Sequence, residues 1–128
     1  MQRKLMAWGA VLAMLAVGVG AFGAHLLKPV ISEEYMKVYE TGVQYHLVHA
    51  LGVILIALAV GQWGESARLR WAGRLLITGT VLFSGSLYVL SISGIKVLGA
   101  ITPIGGVCFI AGWLCLAVEA FSRSKETS

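Results

Sequence analysis

The chain has 128 residues, of which 58% are hydrophobic and only 12% are charged. In soluble domains about 45–50% of residues are apolar and about 25% are charged. This length accommodates one compact unit, so we predict a single integral membrane domain over residues 1–128. A net charge of +4 would suggest a nucleic-acid partner in a soluble protein. Here the basic residues flank hydrophobic runs, which argues against nucleic-acid binding.

Four hydrophobic runs fill most of the chain. They are Leu5–Leu27, Val43–Trp63, Trp71–Ile92 and Val97–Phe121. A helix rises about 1.5 Å per residue, so about 20 residues cross a hydrocarbon core about 30 Å thick. The sequence therefore predicts an all-α membrane protein, an antiparallel bundle of four transmembrane helices. The first run is longer than the usual signal-peptide core of about 7–15 residues, which favours a retained anchor.

The basic residues predict the orientation of these spans. Seven of the ten lie near the termini and the second loop: Arg3, Lys4, Arg68, Arg70, Arg74, Arg123 and Lys125. The other three are Lys28, Lys37 and Lys96. Loops rich in Lys and Arg stay in the cytoplasm, so we expect a multi-pass protein of the bacterial cytoplasmic (inner) membrane with both termini in the cytoplasm.

Small residues mark one face of the first span and one face of the fourth. Ala16, Gly20 and Ala24 follow each other at a spacing of four, and Gly105 and Gly112 lie on one face of the fourth span. Small residues at such spacing allow another helix to approach closely. We therefore predict that the first and fourth spans pack against each other through these helix-packing residues.

Two segments carry signals for the start of a helix. Ser32 is followed by Glu33 and Glu34, a serine cap with acids in the first turn. This pattern predicts either a short interfacial helix outside the membrane or an outward extension of the second span. In the fourth span, Pro103 after Thr102 predicts either a kink or a fresh helix start.

Hydroxyl groups recur along the third span. Thr80, Ser84, Tyr88 and Ser91 lie nearly on one line. Such groups satisfy each other or backbone carbonyls across helices. Alternatively, they could line a path for a small solute or a proton. That path would have to be continuously polar, and the fourth span offers little beyond Thr102, so we rank a carrier last.

The three histidines fall at the same predicted membrane depth. His25 closes the first span, whereas His46 and His49 open the second and share a helix face because they are three residues apart. Imidazole suits a metal, a haem or a quinone headgroup. With Tyr45 and Tyr88 they form a hypothetical cofactor-binding site whose cofactor and metal the sequence leaves unknown. The competing interpretation is a structural polar cluster, since no carboxylate or thiolate lies nearby.

No arrangement of residues predicts catalysis. The chain has no Asp and no Asn, and the serines of the third span lack an acidic orienter or an oxyanion motif. Glu119, the one acid within the apolar register of a span, is expected to pair with Arg74 or Arg123 at the membrane surface. We therefore predict no enzyme activity and no catalytic residue.

Several segments resemble one family of small membrane proteins. The segments are Gly20–His25, Thr41–Leu51, Leu82–Tyr88 and Gly99–Gly106. They resemble the YgdD/YwdK-like family of small uncharacterised bacterial inner-membrane proteins, which also has a small eukaryotic transmembrane relative. The resemblance runs from about residue 4 to residue 121 and implies four spans without implying a molecular function. Its motif residues are candidates for a shared site: His25, Tyr45, His46, His49, Ser84, Tyr88, Thr102, Pro103 and Gly106.

The leading functional hypothesis is a non-catalytic helix-packing protein that serves as an accessory or assembly factor. Its expected partners are the lipid bilayer and either a second copy of the chain or another membrane protein. The small faces of the first and fourth spans motivate this hypothesis. The alternatives are the histidine and tyrosine ligand site and, last, the carrier.

Overall fold

A computed structural model describes the backbone of residues 1–127 and the side chains of residues 1–125. Its four long helices are α1 (Gln2–Phe22), α2 (Glu33–Trp63), α3 (Ala67–Ser93) and α4 (Thr102–Thr127). One π-helical turn, Gly23–Leu27, continues α1, and a short 3₁₀ helix, Lys96–Ala100, precedes α4. All four helices are long and apolar enough to cross a membrane, and residues 1–127 contain no strand. The predicted all-α membrane class is therefore confirmed.

Local chemistry sets the helix ends. The Ser32 hydroxyl accepts a hydrogen bond of 3.2 Å from the Tyr35 backbone N–H, which confirms the predicted start at this serine. Since α2 then continues for 31 residues, the segment extends the second span instead of forming a separate helix. Ser66 caps α3 in the same way, 3.1 Å from the Leu69 N–H. Gly94 ends α3 at φ 73°, a conformation that glycine adopts without steric cost.

Pro103 lies in the first turn of α4. The helix begins at Thr102, so the missing N–H of Pro103 falls where no intrahelical acceptor is needed. Of the two predicted alternatives, the proline starts the helix and does not kink it. The Thr102 hydroxyl lies 2.6 Å from the Ser86 hydroxyl, which ties the start of α4 to α3.

The helices pack in chain order. Extensive contacts join α1 to α2, α2 to α3 and α3 to α4. In their most apolar stretches α2 and α3 bury 44% and 39% of their residues, whereas α1 and α4 bury 22% and 17%. The central helices are therefore α2 and α3. The core residues buried among the helices include Leu5, Leu12, Ala50, Val53, Ile56, Ala57, Leu69, Ala72, Leu76 and Phe109.

The predicted pairing of the first and fourth spans is wrong. In α1, Gly20 faces Val43 of α2. In α4, Gly105 lies against the backbone of Phe83 in α3, and Gly112 also packs on α3. The small residues thus bring each outer helix close to its neighbour in the chain. Both stripes contact a central helix, α2 for the first span and α3 for the fourth, although Ala24 at the end of the first stripe is exposed.

Ion pairs hold together the end of the molecule that contains Met1 and the last described turn of α4, here called the termini end. The Met1 amino group lies 3.3 Å from the Glu65 carboxylate. Glu119 is only 5% exposed, and its carboxylate contacts Arg123 at 2.9 Å and Arg68 at 3.4 Å. The expected pairing with Arg123 is confirmed, and Arg68 supplies the second partner, which a buried carboxylate requires. The opposite end, with residues 28–32 and 94–101, is called the far end.

Replacing Gly105 by alanine should destabilise the fold. An added Cβ would lie 2.5 Å from the Phe83 nitrogen and 2.8 Å from its Cα, and these backbone atoms cannot move without separating α3 from α4. We expect the free energy of unfolding to fall by about 1–3 kcal/mol, measured by thermal unfolding in detergent.

Gly85→Ala is the matched control for this prediction. Nothing lies within 4 Å of its added Cβ, so this variant should be neutral or gain up to about 1 kcal/mol from helix propensity. Equal unfolding temperatures for the two alanine variants would contradict the close contact between α3 and α4.

Candidate functional site

The predicted site residues lie in two separate clusters and at one isolated position. The first, the His46 cluster, consists of Tyr39, His46 and Tyr88. The second, the His49 cluster, consists of Tyr45, His49, Phe83, Phe109 and Trp113. His25 belongs to neither cluster.

The His46 cluster connects three helices in the far half of the molecule. His46 is 5% exposed, and a hydrogen bond of 2.8 Å joins its Nδ1 to the Tyr88 hydroxyl. The Tyr88 ring lies 5.3 Å from the Tyr39 ring. The Tyr39 hydroxyl in turn donates to the Val19 carbonyl of α1 over 2.5 Å. This cluster therefore links α1, α2 and α3 through polar contacts.

The second imidazole nitrogen of His46, Nε2, is buried and has no hydrogen-bond partner among the described residues. Within the described part of the chain, Nε2 has no partner that meets hydrogen-bond geometry, although the Leu12 backbone of α1 approaches the ring. One imidazole nitrogen with no second donor group cannot hold a metal ion on its own. His46 is thus anchored by a single strong contact, the one to Tyr88.

Close approach of α2 and α3 accompanies this cluster. A Cβ added to Gly42 would lie 2.8 Å from the Tyr88 ring, so glycine is required for the tyrosine to occupy its place. The Ser84 hydroxyl donates to the Gly42 carbonyl over 2.7 Å. Further along α3, the Thr80 hydroxyl donates to the Leu76 carbonyl over 2.8 Å. Of the line of hydroxyls on the third span, Thr80, Ser84 and Ser91 thus donate to backbone carbonyls, and Tyr88 pairs with His46.

The His49 cluster uses both nitrogens of its imidazole. His49 Nδ1 lies 2.8 Å from the Tyr45 carbonyl, and the Trp113 indole N–H donates to Nε2 over 3.0 Å. Because an indole N–H can only donate, Nε2 accepts, and Nδ1 must carry the proton and donate to the carbonyl. The ring also stacks on Phe109, with centroids 3.5 Å apart. His49 is a neutral, fully bonded residue that ties α2 to α4.

Tyr45 forms the accessible edge of this cluster. Its side chain is 43% exposed, and its ring lies 4.5 Å from that of Phe83. A shallow pocket of about 310 Å³, lined by Gln44, Tyr45, Val48 and His49, opens beside it.

A cofactor site built from all three histidines would need them close together, and the structure does not bring all three into one cluster. His46 contacts α3, His49 contacts α4, and His25 is exposed in the π-helical turn. Among the residues that the structure describes, no group of three His, Cys, Asp or Glu side chains could hold a metal ion. The geometry keeps two pairs of the predicted site, His46 with Tyr88 and Tyr45 with His49.

A groove that the sequence analysis missed lies between α1 and α2 at the far end, and is here called the α1–α2 groove. It has a volume of about 600 Å³ and is open to its surroundings. Its apolar lining comes from Gly20 of α1, from Ala24 of the π-helical turn, and from Met36, Tyr39 and Val43 of α2. Ala24 is exposed, and Gly20 lacks a side chain. The groove therefore exists because these two small residues leave space beside α2, although Gly23 between them packs tightly against the Tyr39 ring.

The rim of the α1–α2 groove is polar. It is formed by Lys37, Glu40, Thr41 and Gln44, at positions i, i+3, i+4 and i+7 of one helix. That spacing places all four on a single face. A polar face opposite a stripe of small residues is the sequence signal that could have revealed this groove.

Four apolar helices with an ion-paired termini end define a small polytopic integral membrane protein. The family described as "Protein of unknown function (DUF423)" matches residues 19–106, and the chain belongs to that family. The matched segment contains the groove and both central helices.

Two relatives illustrate the extent of this similarity. The UPF0382 membrane protein YwdK of Bacillus subtilis is 51% identical over 112 residues, which cover 88% of this chain and 91% of that protein. A UPF0382 membrane protein of Staphylococcus haemolyticus is 51% identical over 113 residues, with the same coverage. The resemblance stated from the sequence is thereby confirmed. No solved structure matches the chain.

Removing the Tyr88 hydroxyl should weaken the far half of the molecule. Tyr88→Phe leaves buried His46 without its hydrogen bond, and an unsatisfied buried polar group costs about 1–3 kcal/mol. We expect a corresponding fall in the free energy of unfolding, measured in detergent or in bilayer nanodiscs.

Tyr45→Phe provides the control for the loss of a tyrosine hydroxyl. The Tyr45 hydroxyl makes no hydrogen bond in the described structure and its side chain is exposed, so its removal should leave stability unchanged. A larger loss in Tyr45→Phe than in Tyr88→Phe would contradict the assignment of the structural hydroxyl to Tyr88.

Proposed function

We propose that this protein is a non-catalytic integral membrane protein that binds another membrane component in the α1–α2 groove and serves as an accessory or assembly factor. The groove carries the proposal, because it is concave, open to its surroundings, and combines an apolar floor with a charged rim. Such a surface suits a ligand that is itself amphipathic.

The proposal assigns no catalytic role because the side chains that could react already have partners within the protein. Both nitrogens of His49 are bonded within the protein. The Glu119 carboxylate contacts two guanidinium groups, and the Ser84 hydroxyl donates to a backbone carbonyl. A general base or nucleophile must instead be within reach of a substrate proton or carbonyl group.

The proposed location is the bacterial cytoplasmic membrane, with both termini in the cytoplasm. Seven of the ten basic residues lie toward the termini end, where positive residues remain in the cytoplasm. At that end Arg123 lies over the Trp63 ring at 5.5 Å and Arg74 over the Trp71 ring at 5.4 Å. Tryptophan and arginine are typical of the membrane surface. In this orientation the α1–α2 groove opens in the extracytoplasmic half of the bilayer.

A second candidate function is the binding of a planar ring, such as a quinone headgroup, at the pocket beside Tyr45. The exposed Tyr45 ring offers a face for stacking, and the Gln44 amide offers both a donor and an acceptor. This proposal retains Tyr45 and His49 from the predicted cofactor site and leaves out His25. It ranks below the groove because the pocket has only about 310 Å³ against about 600 Å³ and because both His49 nitrogens already have partners.

Site-specific photo-crosslinking in intact cells tests the proposed function. A benzophenone amino acid at position 24 would lie on the groove, whereas the same residue at position 22 would lie on the opposite face of α1 at the same depth. Ala24 lines the groove, and Phe22 is an exposed residue outside it. We expect an adduct at position 24 that is absent at position 22.

A third probe, at Val48, reports on the pocket beside Tyr45. An adduct there, with none at position 24, would favour the ring-binding candidate. The same set of adducts at positions 22 and 24 would overturn the groove proposal, because it would indicate random collision with surrounding lipid.

A further inference from the structure

Opposite charges surround the mouth of the α1–α2 groove. Lys37 and Glu40 line it, and they also line an adjoining recess of about 220 Å³ together with Lys28, Glu33 and Met36. Two positive and two negative side chains therefore face this region. None of these four belongs to the ion pairs found among the described residues, so their charges are available to a ligand.

We propose that the α1–α2 groove binds one phospholipid with a phosphoethanolamine headgroup. This inference rests on the proposed function and names the ligand of the groove. The phosphate lies at Lys37 and the ammonium lies at Glu40. One acyl chain follows the floor past Ala24 and Gly20.

The balance of charge selects a zwitterionic headgroup. An anionic lipid is attracted to a surface with net positive charge, whereas this mouth carries equal numbers of both signs. Side chains at i and i+3 have their Cβ atoms about 5–6 Å apart. Lys37 and Glu40 have this spacing and present a positive and a negative group side by side. A headgroup that joins a phosphate to an ammonium by a two-carbon linker matches that pair.

The nature of the rim selects a primary ammonium over a trimethylammonium group. Proteins bind quaternary ammonium ligands in cages of aromatic faces, but the one aromatic residue lining this groove, Tyr39, is only 2% exposed. The rim instead offers the Glu40 carboxylate and the Gln44 amide oxygen. These acceptors form charge-assisted hydrogen bonds with the N–H groups of ethanolamine, which choline lacks.

The depth of the groove suits a lipid whose headgroup lies at the membrane surface. Gly20 faces Val43, well inside the apolar span of α1, whereas Lys28 follows the π-helical turn at the far end. The charged mouth thus coincides with the end of the hydrophobic span, and the apolar floor extends below it toward the bilayer centre.

Native mass spectrometry of the full chain in a mild detergent tests this inference. Phosphatidylethanolamine, phosphatidylcholine and phosphatidylglycerol with identical acyl chains are added at equal concentration. We expect one bound lipid per chain, with phosphatidylethanolamine preferred about tenfold or more, since its ammonium N–H groups form charge-assisted hydrogen bonds with the rim.

Three variants locate the binding. Glu40→Gln should remove the preference for phosphatidylethanolamine over phosphatidylcholine, and Lys37→Gln should weaken the binding of all three lipids. Glu34→Gln is the matched control, because Glu34 is an exposed acid of the same helix that does not line the groove. It should behave like the unchanged protein, and all three variants alter exposed side chains that the fold does not need.

Equal affinity for the three lipids, or an unchanged preference in Glu40→Gln, would overturn this inference. If the position-24 crosslink captures a protein and no lipid, the proposed function stands and the lipid assignment falls. If position 24 yields no specific adduct and no lipid binds, both fall.

Discussion

The fold depends on one constraint: polar side chains on the central helices must find partners within the protein, because hydrocarbon offers none. On α2, Tyr39 bonds to α1, His46 to α3 and His49 to α4. Each of the other helices is thus fixed to α2 by at least one polar contact in the far half. At the termini end, Glu119 between two arginines serves the same purpose for α3 and α4.

These contacts explain why the residues most suggestive of chemistry are structural and why the ligand surface lies elsewhere. Because both nitrogens of His49 are hydrogen-bonded, the ring could bind a ligand only by breaking its hydrogen bond to Trp113 of α4 or its bond to the Tyr45 carbonyl. The outer helices remain largely exposed to the bilayer. The α1–α2 groove lies beside Gly20 and Ala24, two small residues that leave space next to α2. The proposed lipid occupies a surface that the fold itself does not fill.

Local signals in the sequence were sufficient for the helices and their ends, since a serine cap at Ser32 or a turn at Gly94 depends on adjacent residues alone. Long-range pairing was not predictable in the same way. A stripe of small residues, such as the one that contains Gly112, allows close packing of a helix but does not determine which helix packs there. His46 and His49, three residues apart, share a helix face, yet the face is wide enough for them to contact different helices. The sequence therefore grouped His46 and His49 in one hypothetical site, whereas the structure places them in two clusters that contact different helices.

The most direct test of this account is the protonation state of His49, measured by solid-state NMR of protein labelled with ¹⁵N-histidine in lipid bilayers. The hydrogen bonds to Tyr45 and Trp113 predict a neutral ring with the proton on Nδ1 and a bare Nε2. An imidazolium at neutral pH, a proton on Nε2, or a metal-bound nitrogen would contradict it. Any of these results would indicate that His49 belongs to a functional site and is not only a structural residue.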